Sequence, residues 1–232
     1  MEKTIYRAAA RVRVNQGWLD SWQTFGSEPG RSGFGMLRVL NDDTVAPGMG
    51  FRTRTQDNLE MVFIPLEGVL LHRDGAGSAK KLKPGQVQII SAGTGMTHSE
   101  YNGSNDRPLK LLQIWVTPDA ADAEPHYTRV DLDPDKSHNE LELFVAPDAA
   151  DGAGRIHQRA WFSMGSLDRG RSACYRLHDP AGGVYLLVVA GHVTVAGAKL
   201  APRDGMGIRD VTEVLVTADT DARVLVMEVP VK

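Results

Sequence analysis

The chain carries one cysteine, Cys174, in 232 residues. A lone thiol excludes an internal disulfide framework and fits a reducing compartment. No apolar run approaches the ~20 residues that a membrane-spanning helix needs. The opening residues Met-Glu-Lys-Thr-Ile-Tyr-Arg lack the apolar stretch of a secretory signal. An excess of one charge is also missing. The 26 Lys and Arg against 29 Asp and Glu leave a formal net charge of −3, which argues against bulk attraction to nucleic acid or to anionic membranes. Long helical periodicities are absent as well. These absences together lead us to expect a soluble, cytoplasmic protein with neither nucleic acid nor membrane as a partner.

What is present is turn punctuation. The 24 glycines and 12 prolines break the chain into apolar runs of about four to eight residues, the length of buried strands. Strands are expected over residues 34–40, 59–67, 68–73, 86–91, 96–102 and 109–117, with turns at Asp74-Gly75-Ala76-Gly77 and Lys83-Pro84-Gly85. The second half repeats the plan. Strands expected over 183–190 and 192–195 flank Gly191 much as 59–71 flanks Gly68, and residues 203–208 echo 83–88. Two copies of one unit imply two small β-barrels whose edges are closed or covered by each other. The expected division is a first barrel over 1–118, a Pro-, Asp- and His-rich linker over 119–147 with a short helical turn capped by Asp119, and a second barrel over 148–232.

One segment carries chemistry. In Ser91-Ala-Gly-Thr-Gly-Met-Thr-His-Ser-Glu100, His98 and Glu100 stand two apart on an expected strand, so both side chains leave the same face. Such a pair on the inner face of a barrel is half of a metal site. Its complement belongs on a neighbouring strand, where the chain places Arg54-Thr55-Gln56.

The chain resembles the pirin family, bicupins of the cupin superfamily, over nearly its whole length. The resemblance is carried by Gly17-Trp-Leu-Asp-Ser-Trp22, Gly35-Met-Leu-Arg-Val-Leu-Asn-Asp-Asp43, Val45-Ala-Pro-Gly48, Leu66-Glu-Gly68, His72-Arg-Asp74, Pro84-Gly85, Ser91-Ala-Gly-Thr-Gly95, His98-Ser-Glu100 and Leu112-Gln-Ile-Trp115. It implies an all-β fold of two stacked cupin-type barrels, with an iron-type metal held in the first by a His-Pro-His pair and a His-Ser-Glu pair. Some bacterial members resemble quercetin 2,3-dioxygenases, and animal pirin is an iron-dependent regulator of transcription factors.

This chain departs from that ligand set. In an ungapped register the two family histidines fall on Arg54 and Gln56, and a further family histidine that is not a ligand falls on Gln23. Arginine cannot deprotonate to become a ligand, and the Gln56 carbonyl suits harder ions than iron. His98 and Glu100 would ligate if any metal binds, and they are also the candidate acid and base. The expected site comprises Gln23, Arg54, Gln56, His98 and Glu100, with Arg54 as an internal counter-ion to Glu100 in place of the ion. No tightly held cofactor is expected. The expected ligand is a small anionic or polyphenolic molecule, which makes the protein a binder or sensor with a degenerate metal site. The alternatives are a quercetinase-like dioxygenase using Fe, Ni, Cu or Mn, which is the reaction class if the chain is an enzyme, and a protein-interaction regulator similar to animal pirin.

The remaining candidates read as structural. His72 is expected in solvated turn chemistry, and His126, His138 and His157 at the surface. His178 and His192 have no carboxylate two residues on, Cys174 is expected to be buried, and Lys80–Lys83 reads as a solvated basic loop.

Overall fold

The computed structural model describes residues 1–26 and 32–231, and over these the chain is built of strands and two short 3-10 turns. Two seven-stranded sheets form the centre. The first runs in the spatial order His126–Asp131, Gln86–Ser91, Glu60–Glu67, Leu109–Val116, Leu37–Val45, Leu19–Gln23 and Val12–Asn15. The second runs Glu2–Tyr6, Gly205–Arg209, Gly182–Ala190, Ala222–Pro230, Trp161–Leu167, Glu142–Ala146 and Gly154–Arg155. A four-stranded sheet closes each into a barrel. Gly50–Gln56, Met96–Asn102, Leu70–Asp74 and Ala79–Leu82 close the first; Ser172–Arg176, Glu213–Ala218, Val193–Val195 and Ala198–Leu200 close the second.

The side-chain pattern explains the layering. A strand buried on one face alternates apolar and polar residues, while one buried on both reads as a continuous apolar run. Leu109–Val116 is of the second kind. Leu109 and Leu111 fill the first barrel, whereas Leu112, Ile114 and Val116 pack outward onto the other large sheet. Ala222–Pro230 mirrors it, with Val224 and Val226 inside the second barrel and Leu225, Met227 and Val229 facing the first. The two large sheets thus share one apolar layer, and the barrels form a single stack.

Two expectations about domain boundaries change. Glu2–Tyr6 pairs antiparallel with Gly205–Arg209, so the chain begins in the second barrel before crossing to the first. Residues 119–147 are not a mere linker, because His126–Asp131 extends the first barrel's sheet beside Gln86–Ser91 and Glu142–Ala146 joins the second beside Trp161–Leu167. Asp, Pro and His dominate that segment, and its few inward residues disguise the strand pattern. Tyr127 packs on the first barrel's core, while Val130, Phe144 and Val145 enter the layer between the sheets. The helical turn expected over 119–123 is a series of bends, in which the Asp119 amide donates instead to the His157 carbonyl at 2.8 Å.

Glu60 lies buried at the start of Glu60–Glu67, where this crossing segment meets the second barrel. Its carboxyl accepts hydrogen bonds from Ser91 Oγ and from the His157 backbone N–H. Burial pushes its pKa up to about 7 against the pull of those two donors, and nearby Asp119 adds to the rise. A folded-state pKa above the unfolded value of 4.5 means that the folded form binds the extra proton between about pH 4.5 and 7. Stability therefore falls as pH rises through that window and levels off above it, by roughly 3 kcal/mol at most from this group. Asp43, raised to about 6 by burial, adds a smaller slope of the same sign. Glu60→Gln keeps an acceptor for Ser91 and is expected to stabilise the protein at pH 8 and to flatten the slope. Chemical denaturation of both proteins from pH 4.5 to 8 checks this, and parallel profiles would refute it.

Candidate functional site

The strand Met96–Asn102 runs between Gly50–Gln56 and Leu70–Asp74. His98 and Glu100 both point inward and are buried, at 0% and 1% exposure. His98 is paired with Arg54 on one side, and Glu100 is directly opposite His72 on the other. The register with Gly50–Gln56 slips between His98 and Glu100, so that Arg52 and Thr53 together oppose Ser99. This bulge matters because residues three apart on a regular strand point to opposite faces. Here Phe51 and Arg54 come to the same side, and the Arg54 guanidinium sits over the Phe51 ring at 5.1 Å. Gln56 follows on that face, opposite Met96, and its Oε1 accepts from Arg54 Nε at 3.2 Å.

Glu100 is the centre of the cluster. Its Oε2 accepts from Arg54 Nη2 at 3.4 Å, a long ion pair between a carboxylate sealed from solvent and a guanidinium that is 29% exposed. Its Oε1 lies 3.4 Å from His98 Nε2 and 3.5 Å from His72 Nδ1. His72, expected in a solvated turn, is instead buried, with its ring 5.0 Å from Tyr127 and 5.9 Å from His98. The alternation that puts Leu70 in the core also puts His72 inward, and that was its only signal in the sequence. Gln23 lies half-buried at the far end of Leu19–Gln23 in the facing sheet. Among the described residues no recorded hydrogen bond or ion pair links it to Glu100.

Burial is the main reason that the His98 pKa is lowered, with Arg54 and His72 adding to the fall and Glu100 opposing it. Its imidazole is therefore neutral around pH 7. The Tyr127 phenol is pushed up to about 12, again by burial. Several inward polar atoms have no hydrogen-bond partner among the described residues: both ring nitrogens of His98, His72 Nδ1, Glu100 Oε1, both amide atoms of Gln88, Trp115 Nε1 and Tyr127 Oη. Buried polar groups are normally hydrogen-bonded, so this concentration inside one barrel marks a place for something polar. A hollow of about 420 Å³ lies on the outer side of the same strands, lined by Thr53, Arg73, Ser99 and Tyr101. It is separated from the cluster by the sheet itself.

Whether a metal fits can be judged from the donors. Spacings of 3.4 and 3.5 Å are compatible with edges of a tetrahedron around an ion held at ~2.1 Å. Yet among the described residues no group of three or more His, Cys, Asp or Glu side chains is arranged to hold one. Arg54 also takes the second oxygen of the single carboxylate. At about 5 Å, a fixed guanidinium would repel a dication by roughly 7 kcal/mol at an effective dielectric of 20. The donors gathered here are thus two imidazoles and one carboxylate that is already paired with a guanidinium.

Two groups read as structural bear on the second barrel and the surface. His178 does meet a carboxylate, from a distant strand: Glu228, fully buried, accepts from Tyr175 Oη at 2.7 Å and from the backbone amides of His178 and Asp179 at 2.9 and 2.7 Å, with His178 Nδ1 at 3.2 Å. Both oxygens of that carboxylate accept hydrogen bonds, which makes it a structural anchor. Cys174, expected to be buried, is exposed on Ser172–Arg176, because Ala173 and Tyr175 take the inward positions.

Comparison with known proteins places this geometry. Residues 6–116 match the family model described as Pirin, and residues 143–229 match that of the quercetinase C-terminal cupin domain. The chain is 36% identical over 228 residues to a quercetin 2,3-dioxygenase of Escherichia coli K12, covering 97% of both chains. It is 30% identical to the pirin-like protein YhaK of the same organism, covering 94% of this chain and 95% of that one. Among solved structures, bacterial pirin YhhW of E. coli in complex with nickel(II) superposes with a TM-score of 0.93 at 34% identity, covering 99% of each chain.

The Arg54–Glu100 pair predicts a coupling. Removing one partner leaves a charge in the barrel, so Arg54→Met is expected to destabilise the fold by about 2 kcal/mol, tempered by the partial exposure of Arg54. Adding Glu100→Gln to Arg54→Met should recover most of that loss. A double-mutant cycle by urea denaturation measures it, and additive effects of the two changes would show that the pair is not coupled.

Proposed function

Since this chain belongs to the pirin family, we propose that its first barrel is a small-molecule binding site in which Arg54 stands where a metal would stand in a fully liganded cupin. The observation that carries this reading is the contact of Arg54 Nη2 with Glu100 Oε2 at 3.4 Å, with Glu100 sealed from solvent. The carboxylate has its counter-charge, and that charge is a side chain.

The ligand follows from what remains. The guanidinium is already shared among Glu100, Gln56 and the Phe51 ring, so it has little charge left for a strongly anionic guest. A polyphenol suits the site better than a simple anion. Its hydroxyls can serve the unpartnered atoms of His72, His98, Gln88 and Tyr127, and its rings can stack among the aromatic groups there. Entry is along Arg54, the exposed member of the cluster. Occupancy that shifts Arg54 would turn binding into a surface change, as a sensor requires.

A second reading is supported by the relatives named quercetin 2,3-dioxygenase and by the extra imidazole of His72 beside His98 and Glu100. It makes the chain a flavonol-cleaving oxygenase with an altered ligand set. The two readings differ in three measurements. The binding reading expects protein purified without chelator to hold far less than one equivalent of Fe, Ni, Cu or Mn by mass spectrometry. It expects quercetin to quench tryptophan fluorescence saturably without oxygen uptake. It also expects Arg54→His combined with Gln56→His to gain metal. One equivalent of tightly held iron, copper or nickel in the wild type, or chelator-sensitive oxygen consumption lost on His98→Ala, would sink it in favour of the oxygenase.

A further inference from the structure

A second site lies where the chain crosses from one barrel to the other. The 3-10 turn Ala8–Ala10 links the N-terminal strand of the second barrel to the first strand of the first. Beside it is a cavity of about 350 Å³ lined by Ala8, Ala9, Arg11, Trp22, Asp42, Pro202 and Arg203. The volume lies at the lower end of the range for small-molecule sites. Trp22 and Asp42 come from paired positions on two first-barrel strands, and Pro202 and Arg203 come from a loop of the second barrel.

The charges of this seam do not balance. The Arg11 side chain is only 4% exposed, and its recorded hydrogen bond is to a neutral acceptor, the Arg203 carbonyl at 2.8 Å. Its nearest recorded carboxylate, Asp42, is 3.8 Å away and already takes Arg203 Nε at 2.5 Å. Asp204, the other acid that acts on Arg11, is committed to Arg7 at 2.6 Å and to the amides of Ala8 and Ala201. The guanidinium groups of Arg7, Arg11 and Arg203 are therefore set against two carboxylates. A buried charge without a committed partner is costly, and here the surplus sits at the wall of a cavity.

From this surplus and from the cavity walls we infer that the seam binds a small carboxylate with an apolar, ring-bearing body. The carboxylate meets the Arg11 and Arg203 guanidinium groups, whose forked donors match its two oxygens. The body lies against Ala8, Ala9, Pro202 and Trp22. Trp22 is 37% exposed, among the few large apolar side chains left at the surface. Its indole is steadied by Arg13, 5.3 Å from the ring centroid and itself held by Asp20 through bonds of 2.8 and 2.9 Å. This site is separate from the Glu100 pocket, and because it touches both barrels its occupancy would tie them together.

Isothermal titration with sodium benzoate tests the assignment, using benzamide as the uncharged isostere and inorganic phosphate as the anion without a ring. Benzoate is expected to bind the wild type at one site, at least tenfold more tightly than either control. Arg203→Met and Trp22→Ala should each weaken it by tenfold or more, and Arg176→Met, at an exposed arginine of the second barrel away from the seam, should leave it unchanged. Trp22→Ala alters an exposed side chain, so it decides the matter even if an arginine variant fails to fold. Equal affinity for benzoate and benzamide, benzoate binding indifferent to Trp22→Ala, or no benzoate binding to the wild type would each overturn the inference.

Discussion

The structure depends on the apolar layer between the two seven-stranded sheets. Each large sheet has two apolar faces, and its own barrel can cover only one of them. Leu40, Val62, Ile64, Leu112 and Ile114 from the first barrel meet Phe144, Phe162, Leu187, Leu225 and Met227 from the second. Exposing either face would leave a patch far larger than a soluble monomer normally shows. The N-terminal strand and the crossing segment act in the same direction. Glu2–Tyr6 adds an edge strand to the second barrel's sheet and His126–Asp131 adds one to the first's, so neither half is complete without residues from beyond the boundary that composition alone suggests.

With the large sheets occupied on both sides, chemistry is left to the barrel interiors, and the two interiors differ. The closing strands of the second barrel present Ala173, Tyr175, Val193, Val195, Val214 and Val216 inward, and these belong to a continuous apolar core. The corresponding closing sheet of the first barrel presents Arg54, Gln56, His72, His98 and Glu100. One architecture is thus packed solid in one copy and polar in the other. Glu228, the one buried acid of the second barrel's large sheet among the described residues, accepts hydrogen bonds on both oxygens, whereas Glu100 has one oxygen without a hydrogen-bond partner. That contrast within a single chain is the strongest internal reason to look for ligand chemistry in the first barrel.

Much of this was legible in the residues. The strand runs, their turns and the duplication were visible because glycine and proline end apolar runs at nearly regular intervals, and the strands 86–91 and 96–102 lie where the pattern put them. The placing of Arg54 beside His98 was visible from the family register. The bulge that brings Phe51 and Arg54 to one side was not, since nothing in Phe-Arg-Thr-Arg-Thr-Gln marks where an extra residue enters a ladder. His72 was passed over because the Asp74-Gly75 turn that follows it suggested solvent, although the turn begins only after the histidine. No neighbour in the sequence marks Cys174 as a reactive thiol, which favours a buried one, but strand parity sets it outward.

The sequence by itself determined the class of the fold, its duplication and the presence of arginine and glutamine at positions 54 and 56, because these rest on local pattern and residue identity. Only the tertiary structure decided which barrel each end of the chain completes, that His72 joins Glu100, and that Arg11, Arg203 and Asp42 meet at the seam. Those pairings join residues up to 207 positions apart, Glu2 with Arg209. Their geometry depends on sheet register and on the packing of one barrel against the other, which no local stretch of residues encodes.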